Sequence, residues 1–311
     1  ILEKSNKIFA GSSSMNQNRL HQGYHYPRDY RTRRSSFLGF RKFVKSFQDL
    51  STPVVKNIYA IHRNSLMDFQ TYKHIFEHEG YEFNELDTED LYEFRNYEGA
   101  LVVSERLIDF RKAKNFFLNQ NLNIQLNAPC HVSNTGHFVN GKKIHSRLII
   151  DCTYGQIACP EGFYNERFIS LIYEKVENCN FGALTVMDGE FYSIYPYYSN
   201  LFTITGVAEG RVDEEIFTEL SEEVYVNTIR KRLEEKIVLD FPGFNRIFRF
   251  KDYFISNKTK PLLNSDNRST SFLRDRKSII VNSGKIDTIF DCDSLVDNVI
   301  EFCNESSVSN K

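Results

Sequence analysis

The chain has 311 residues, of which 41% are hydrophobic and 26% charged, with a formal net charge of -2. This composition suits one large or two medium globular domains with a real apolar core. The near-neutral charge argues against nucleic-acid binding by bulk electrostatics, and without an apolar run of ~18 residues a membrane span is excluded.

Taken in chain order, Ile1-Leu2-Glu3 reads as the end of a short buried strand. Residues 11–16 are small and polar, with Gly11 for backbone freedom and serines that suit helix caps. Residues 28–45 are basic, and Phe37, Phe40, Val44 and Phe47 recur at helical spacing. That predicts an amphipathic helix with a solvated, charged outer face, an anionic-substrate site being the alternative. Residues 54–61 are β-branched and aromatic, hence a strand, and 65–78 are helical. The acidic stretch 77–98 offers counter-charges to the basic helix, though each surface pair contributes little. A strand is expected at 100–104, a helix at 106–119 and the start of another strand at 123–126.

Two turn signals in 135–143, the second Asn140-Gly141, predict a hairpin. The run Leu148-Ile149-Ile150-Asp151-Cys152-Thr153 is apolar enough for a strand buried on both faces of a parallel sheet, and it ends in the turn Tyr154-Gly155. Alternation in 168–176, 183–186, 190–198 and 201–207 predicts an antiparallel meander. Residues 213–236 read as a long helix or helix pair, 247–256 and 278–282 as strands, 258–274 as a polar loop and 294–304 as a closing helix. The six cysteines (Cys130, Cys152, Cys159, Cys179, Cys292 and Cys303) contain no CxxC pair. They read as free thiols of a reducing compartment rather than a disulfide framework or a zinc site.

Three features carry chemistry. Glu3 ends a short apolar strand, where a carboxylate can accept hydrogen bonds from a ribose. Residues 11–27 gather hydroxyls, amides, His21, His25, Tyr24 and Tyr26 into a loop able to cradle a polar, anionic ligand. Ile280-Val281-Asn282-Ser283-Gly284-Lys285-Ile286 runs a strand into a glycine turn and a cation, which stabilises negative charge on a bound ring.

Together these features resemble the FAD-dependent oxidoreductases of the D-amino-acid oxidase type, which include glycine oxidases and L-2-hydroxyglutarate oxidases. Asn16-x-x-x-x-His21-x-Gly23-x-x-Tyr26 is similar to the family's flavin-contacting segment, and residues 148–155 to the strand that ends at the FAD pyrophosphate. Ser283-Gly284-Lys285-Ile286 resembles the turn near the flavin pyrimidine, and residues 188–196 fall where the family builds its substrate-domain sheet. The G-x-G-x-x-G unit that would occupy about 30 residues before Glu3 is not in the sequence. The start at Ile1, without a methionine or a basic-then-apolar leader, reads as its loss by truncation, and weak FAD binding by the chain as given is expected.

The resemblance implies a mixed α/β (α+β) fold. A truncated Rossmann-like FAD-binding domain (1–50, 100–165 and 275–311) is interleaved with an antiparallel-sheet substrate or cap domain (51–99 and 166–274). It further implies that Glu3 holds the adenosine ribose, and that Ser13, Ser14 and Asn16 line the pyrophosphate and ribitol. Asn18, Arg19 and His21 would approach the isoalloxazine, and Val132 the adenine. Thr153 and Gly155 would pass the pyrophosphate, while Lys285 and Ile286 face the flavin C2 carbonyl. The implied activity is cytoplasmic oxidation of a small amine or 2-hydroxy acid by hydride transfer to flavin N5. For a hydroxy acid, His21 or His25 is the base. Arg19, Arg28 and Arg249 are the candidates for binding a substrate carboxylate. The partner expected is a small molecule, not nucleic acid or membrane; the alternatives are a non-catalytic flavoprotein-fold interaction module and an anion or nucleic-acid binder.

Overall fold

The computed structural model describes residues 1–86, 94–133, 135–157, 159–176, 179–262, 268–275, 278–295 and 299. Leu2 forms an isolated parallel bridge with Gln125, and β1 (Arg19–Leu20) follows the polar loop. Helix α1 (Tyr30–Ser46) starts at Asp29, whose carboxylate accepts the Thr32 N–H. Strands β2 (Ser51–Pro53) and β3 (Asn57–His62) precede α2 (Phe69–His78), capped by Asp68. Next come β4 (Phe83–Glu85), β5 (Tyr97–Val103) and β6 (Arg106–Ile108), then α3 (Phe110–Leu118), capped by Asp109. The meander β7 (Cys130–Ser133), β8 (Gly136–Val139) and β9 (Lys142–Lys143) leads to β10 (Ile149–Asp151). Asn140 and Gly141 between β8 and β9 have φ of 49° and 75°, as a type I′ turn demands.

The long strands β11 (Phe163–Lys175), β12 (Ala183–Met187), β13 (Tyr192–Tyr198) and β14 (Leu201–Gly206) come next. Helices α4 (Glu214–Glu219), α5 (Glu222–Asp240) and α6 (Phe244–Ile247) lead into β15 (Phe248–Pro261), β16 (Ser271–Asp275) and β17 (Ser278–Asn282). Eight strands form the principal sheet, in the order β15-β11-β14-β13-β12-β3-β5-β4. Its neighbours are antiparallel except β12 and β3, which run parallel. A smaller sheet, β10-β17-β16, has a parallel pair at β10 and β17, and β6 pairs with both β1 and β2.

The period-2 geometry of a strand sorts the principal sheet into two unlike faces. Ile169, Leu171, Leu184, Ile194, Phe202 and Ile204 belong to one apolar cluster with Tyr225, Val226, Ile229, Leu233 and Ile237 of α5. The alternate residues Ser170, Thr185, Ser193, Thr203 and Thr205 point the other way, toward the amino-terminal polar segment.

Several expectations are corrected. Ile1 and Leu2 are exposed rather than buried. Residues 106–108 are strand, because they pair with β1 and β2, and the helix waits for the Asp109 cap. The buried stripe of α1 is Thr32, Arg33, Ser36, Gly39 and Phe43; Phe37, Phe40, Val44 and Phe47 flank it, partly buried. Arg33, expected in a solvated face, is buried and paired with Glu79. Residues 258–261 are strand and 271–275 pair with β17, so the expected loop is shorter than 258–274 and the small sheet begins before residue 275. The closing helix expected at 294–304 lies largely outside the described residues, as does Cys303.

Candidate active site

The amino-terminal segment is pinned between the two sheets. Ser12 Oγ donates to the Asn257 carbonyl at 2.7 Å, Ser14 Oγ to the Phe9 carbonyl at 2.6 Å, and Asn16 Nδ2 to the Ser12 carbonyl at 2.6 Å. Ser13 is exposed. Asn257 Nδ2 in turn donates to Gln156 Oε1 at 2.9 Å, and Thr259 Oγ1 to the Tyr154 carbonyl at 2.5 Å. β15 therefore holds both the polar loop and the turn after β10. Gly155, at φ 71°, has no free space for a side chain: a Cβ there would meet Thr259 Oγ1 at 3.0 Å. Thr153 N–H donates to Asp151 Oδ1 at 2.8 Å. The third stretch joins through Lys285, whose Nζ sits 3.9 Å from the centre of the Tyr26 ring, and through Gly284, which abuts the Tyr154 hydroxyl. The polar loop, the Thr153-Tyr154-Gly155 turn and the Gly284-Lys285 pair thus meet in one region.

Inside it, Arg19 is buried in a polar box. Its Nη1 donates to Thr185 Oγ1 at 2.8 Å and to the Tyr59 hydroxyl at 3.2 Å, and its guanidinium lies 4.0 Å from the Tyr195 ring centre. The Tyr59 hydroxyl donates to Glu105 Oε2 at 2.8 Å, and the Gln22 N–H to Glu105 Oε1 at 2.8 Å. Burial alone would raise the Glu105 carboxyl pKa, but the His21 imidazole and Arg19 outweigh it and hold the group below the usual range. His21 Nδ1 lies 3.7 Å from Glu105 Oε1, too long for a hydrogen bond. Burial lowers the His21 pKa, and lowers that of His25 further because His21, Arg19 and Lys285 add positive charge. The two imidazole rings are 5.6 Å apart.

Buried polar atoms without partners concentrate here. Both amide atoms of Asn18, Nε of Arg19, and Nδ1 of His21 and of His25 have none among the described residues. An unpartnered buried polar atom is costly, so such a cluster marks surfaces that a polar ligand completes. Beside it lies a cavity of about 190 Å³. Its lining includes Gln17, His25, Ser170, Thr185, Ser193 and Lys258.

Other expected site residues stand differently. Glu3 receives the Ser5 N–H at 2.8 Å and sits beside Gln125. Val132 is exposed on β7. Ile286 packs in the cluster around Phe43. Lys285 is compensated by Asp287 Oδ2 at 3.1 Å and bonded to Ser36. Two substrate-binding candidates have partners of their own. Arg28 is engaged by Asp188, at 3.0 and 3.3 Å. Arg249 donates to the carbonyls of Asn245 and Phe248 at the end of α6, nine residues along β15 from Lys258, roughly 30 Å at strand rise. Sequence reading missed Tyr59, Glu105, Thr185 and Lys258. For Thr185 the available signal was the hydroxyl at every second position of 169–171, 184–186, 192–194 and 202–205.

No protein-family model matches the chain. The FAD-dependent monooxygenase FPY4 of Fusarium mangiferae is 31% identical over 312 residues, covering 93% of this chain and 81% of the relative. Among solved structures, glycine oxidase from Geobacillus kaustophilus superimposes with a TM-score of 0.64 at 9% identity, covering 92% of this chain and 82% of that one. FAD-bound L-alpha-glycerophosphate oxidase from Mycoplasma pneumoniae gives 0.65 at 14% identity, covering 92% and 84%. Iminodiacetate oxidase from Chelativorans sp. BNC1 gives 0.63 at 10%, covering 89% and 81%. The fold is the one these oxidases share, and with a flavin enzyme 31% identical over nearly the whole chain, the protein belongs to the FAD-dependent oxidoreductases.

Proposed function

We propose that the protein oxidises a small amine or 2-hydroxy acid held in the hydroxyl-lined cavity, with FAD as the electron acceptor and His25 as the base for a hydroxy acid. FAD is the cofactor of the family, and the orphaned atoms of Asn18, Arg19, His21 and His25 fit a large polar group. When bound, FAD takes up the hydride equivalent at flavin N5. In this reading Glu3 holds the adenosine ribose, with Val132 near the adenine. Ser13, Ser14, Asn16, Thr153 and Gly155 line the pyrophosphate and ribitol, and Asn18, Arg19 and His21 the flavin ring. Lys285 and Ile286 lie toward its C2 carbonyl, the lysine acting through its pair with Asp287.

The observation that carries the reading is His25. It lines the cavity, burial keeps its imidazole neutral, and its Nδ1 has no partner among the described residues. A neutral imidazole accepts the hydroxyl proton of a bound 2-hydroxy acid as the carbon–hydrogen bond breaks. Arg19 is held among Tyr59, Tyr195 and Thr185, where it fixes a positive field without reorganising. His21, its ring 5.6 Å from that of His25, is not among the residues that line the cavity.

The reading divides the chain into an FAD-binding part, close to 1–50, 100–165 and 275–311, and a cap built on the principal sheet from 51–99 and 166–274. It assigns the enzyme to the cytoplasm, where free cysteines such as Cys152 and Cys159 stay reduced. No helix among the described residues is long and apolar enough to cross a membrane.

The test is anaerobic mixing of the FAD-loaded protein with 2-hydroxy acids (glycolate, lactate) and with amines (glycine, sarcosine). Bleaching of the flavin band by a member of either class is expected, and bleaching by none overturns the reading. The fungal relative's name, a monooxygenase, favours oxygen insertion as the second reading. Oxygen uptake without matching hydrogen peroxide would favour it.

A further inference from the structure

The cavity wall opposite His25 is built from β11, β12, β13, β14 and β15, and its alternation decides what it can hold. The side chains facing inward from these strands include Ser170, Thr185, Ser193, Thr205 and Ser256. Ser193 Oγ lies 3.0 Å from Gln17 Oε1 and 3.0 Å from Thr205 Oγ1, so the hydroxyls are already mutually oriented. One cation stands among them: Lys258 of β15. Its Nζ lies 3.0 Å from the centre of the Phe168 ring. Among the described residues no carboxylate, carbonyl or hydroxyl bonds it. The groups around it are Lys260, Arg211 and Arg268, with Glu166 the facing carboxylate; Glu166 is itself bound to Lys260. The cavity therefore carries an excess of positive charge with one unspent ammonium pointing into it. Burial, reinforced by Lys260 and opposed by Glu166, brings that ammonium down to about 7.

Resting on the reading above and deepening it, we infer that the substrate is a short polyhydroxy acid, with Lys258 anchoring its carboxylate and the Ser/Thr wall binding a hydroxyl beyond the one oxidised. Size supports a three- or four-carbon skeleton: about 190 Å³ holds roughly six waters at ~30 Å³ each. Selectivity follows from the wall. Donors and acceptors built to meet hydroxyls are left unpaired by an apolar side chain, which is how polar sites reject analogues lacking the group. A bare ammonium on an aromatic face is compensated by a carboxylate in a way a neutral polyol cannot match.

The test uses the FAD-loaded protein and three probes: D-glycerate, propionate and glycerol. Calorimetric binding at pH 6.5 is expected to be at least tenfold tighter for glycerate than for either of the others. Lys258→Gln, at unchanged FAD content, is expected to lose at least tenfold in glycerate affinity and nothing for glycerol, and Lys258→Arg to restore it. Glycerate affinity is expected to fall between pH 6.5 and 8.5 in the wild type, but not in Lys258→Arg. Equal glycerate binding by wild type and Lys258→Gln overturns the anchor. Equal binding of propionate and glycerate overturns the role of the wall. The anaerobic bleaching experiment reads the oxidoreductase reading separately, so absence of bleaching with intact glycerate selectivity sinks that reading and not the ligand assignment.

Discussion

Gly39 on α1 lies against the backbone of Asp287, so closely that a Cβ on Gly39 would stand 1.7 Å from the Asp287 carbonyl oxygen. One turn earlier on the same helix, Ser36 bonds Lys285. The helix is thereby pressed onto the turn after β17, and the glycine is what permits the approach.

Gly39→Ala is expected to destabilise the protein. The new methyl meets backbone, which cannot swing aside, and overpacking of this kind costs about 1–3 kcal/mol. The better helix propensity of alanine returns up to ~1 kcal/mol. The urea midpoint should fall, and FAD retention should fall with it because the Lys285 turn must move. A midpoint equal to that of the wild type would mean that α1 is free to slide.

Glu105 is the acceptor at the centre of a buried network. It takes hydrogen bonds from Tyr59, Gln22 and, at 3.3 Å, Asn57, and it is the nearest buried carboxylate influencing Arg19. Glu105→Ala strands three donors and leaves the Arg19 charge uncompensated in the interior. A loss of about 3–5 kcal/mol is expected. Glu105→Gln keeps most of the volume but turns an N–H toward other donors, for about 1–3 kcal/mol. Urea unfolding of the two variants checks the order; an alanine variant no less stable than the glutamine one would show that Arg19 does not depend on Glu105.

The turns and several strands were legible in the sequence, for a definable reason. Gly155, Asn140-Gly141 and the polar loop announce themselves because turns need particular residue types at particular positions. The strand at 149–151 stood out as an apolar run, as did its parallel partner β17, but Ile150 is 45% exposed, so β10 is not buried on both faces as the run suggested. Glu105 and Lys258 were not legible. Glu105 stands next to Arg106 and Lys258 two residues from Lys260, so in one dimension each is indistinguishable from a solvated charge, and only the pairing of β11 with β15 turns Lys258 inward. The basic stretch misled for the converse reason. Its buried face carries Thr32, Arg33, Ser36 and Gly39, so an apolar periodicity search picks the flanks. The alternation of hydroxyls with large apolar residues in β11 to β14 was present, but it reads as half-buried strand until something is known to face the polar side.

Stability should depend on pH through the two histidines. Burial lowers both pKa values below the unfolded value near 6.5. Below that pH the unfolded chain binds protons that the folded one resists, so their contribution is complete above about 6.5 and is lost as pH falls beneath it. Each such group changes stability by at most about 1.4 kcal/mol per pH unit. Glu105 adds loss in the same direction at lower pH, because its folded pKa is depressed and its contribution needs the ionised form. Lys258, whose folded pKa is brought down to about 7 from an unfolded value of about 10.4, already costs stability as pH falls from 8 toward 7, and the histidines carry the further decline of the urea midpoint from about 6.5 toward pH 5. A His21→Asn, His25→Asn double variant should flatten that decline; an equally steep slope in the variant would place the titrating groups elsewhere.

The same two imidazoles should separate in catalysis. His25 faces the cavity and His21 does not, so His25→Asn is expected to slow flavin reduction by a 2-hydroxy acid about 10²–10⁴-fold with FAD content unchanged. Oxidation of a neutral amine, which needs no base, should suffer much less. His21→Asn, at a residue placed against the flavin ring, should cost less in rate at pH 7.5 than His25→Asn when both are compared at equal FAD content. It removes a neighbour whose positive charge helps depress His25, so the acid limb of the rate profile should move to higher pH. Stopped-flow reduction across pH 5 to 8 reads both effects. If His21→Asn abolishes reduction while His25→Asn leaves it intact, the base is the inner histidine, and the cavity identified beside His25 is not where the hydroxyl proton is removed.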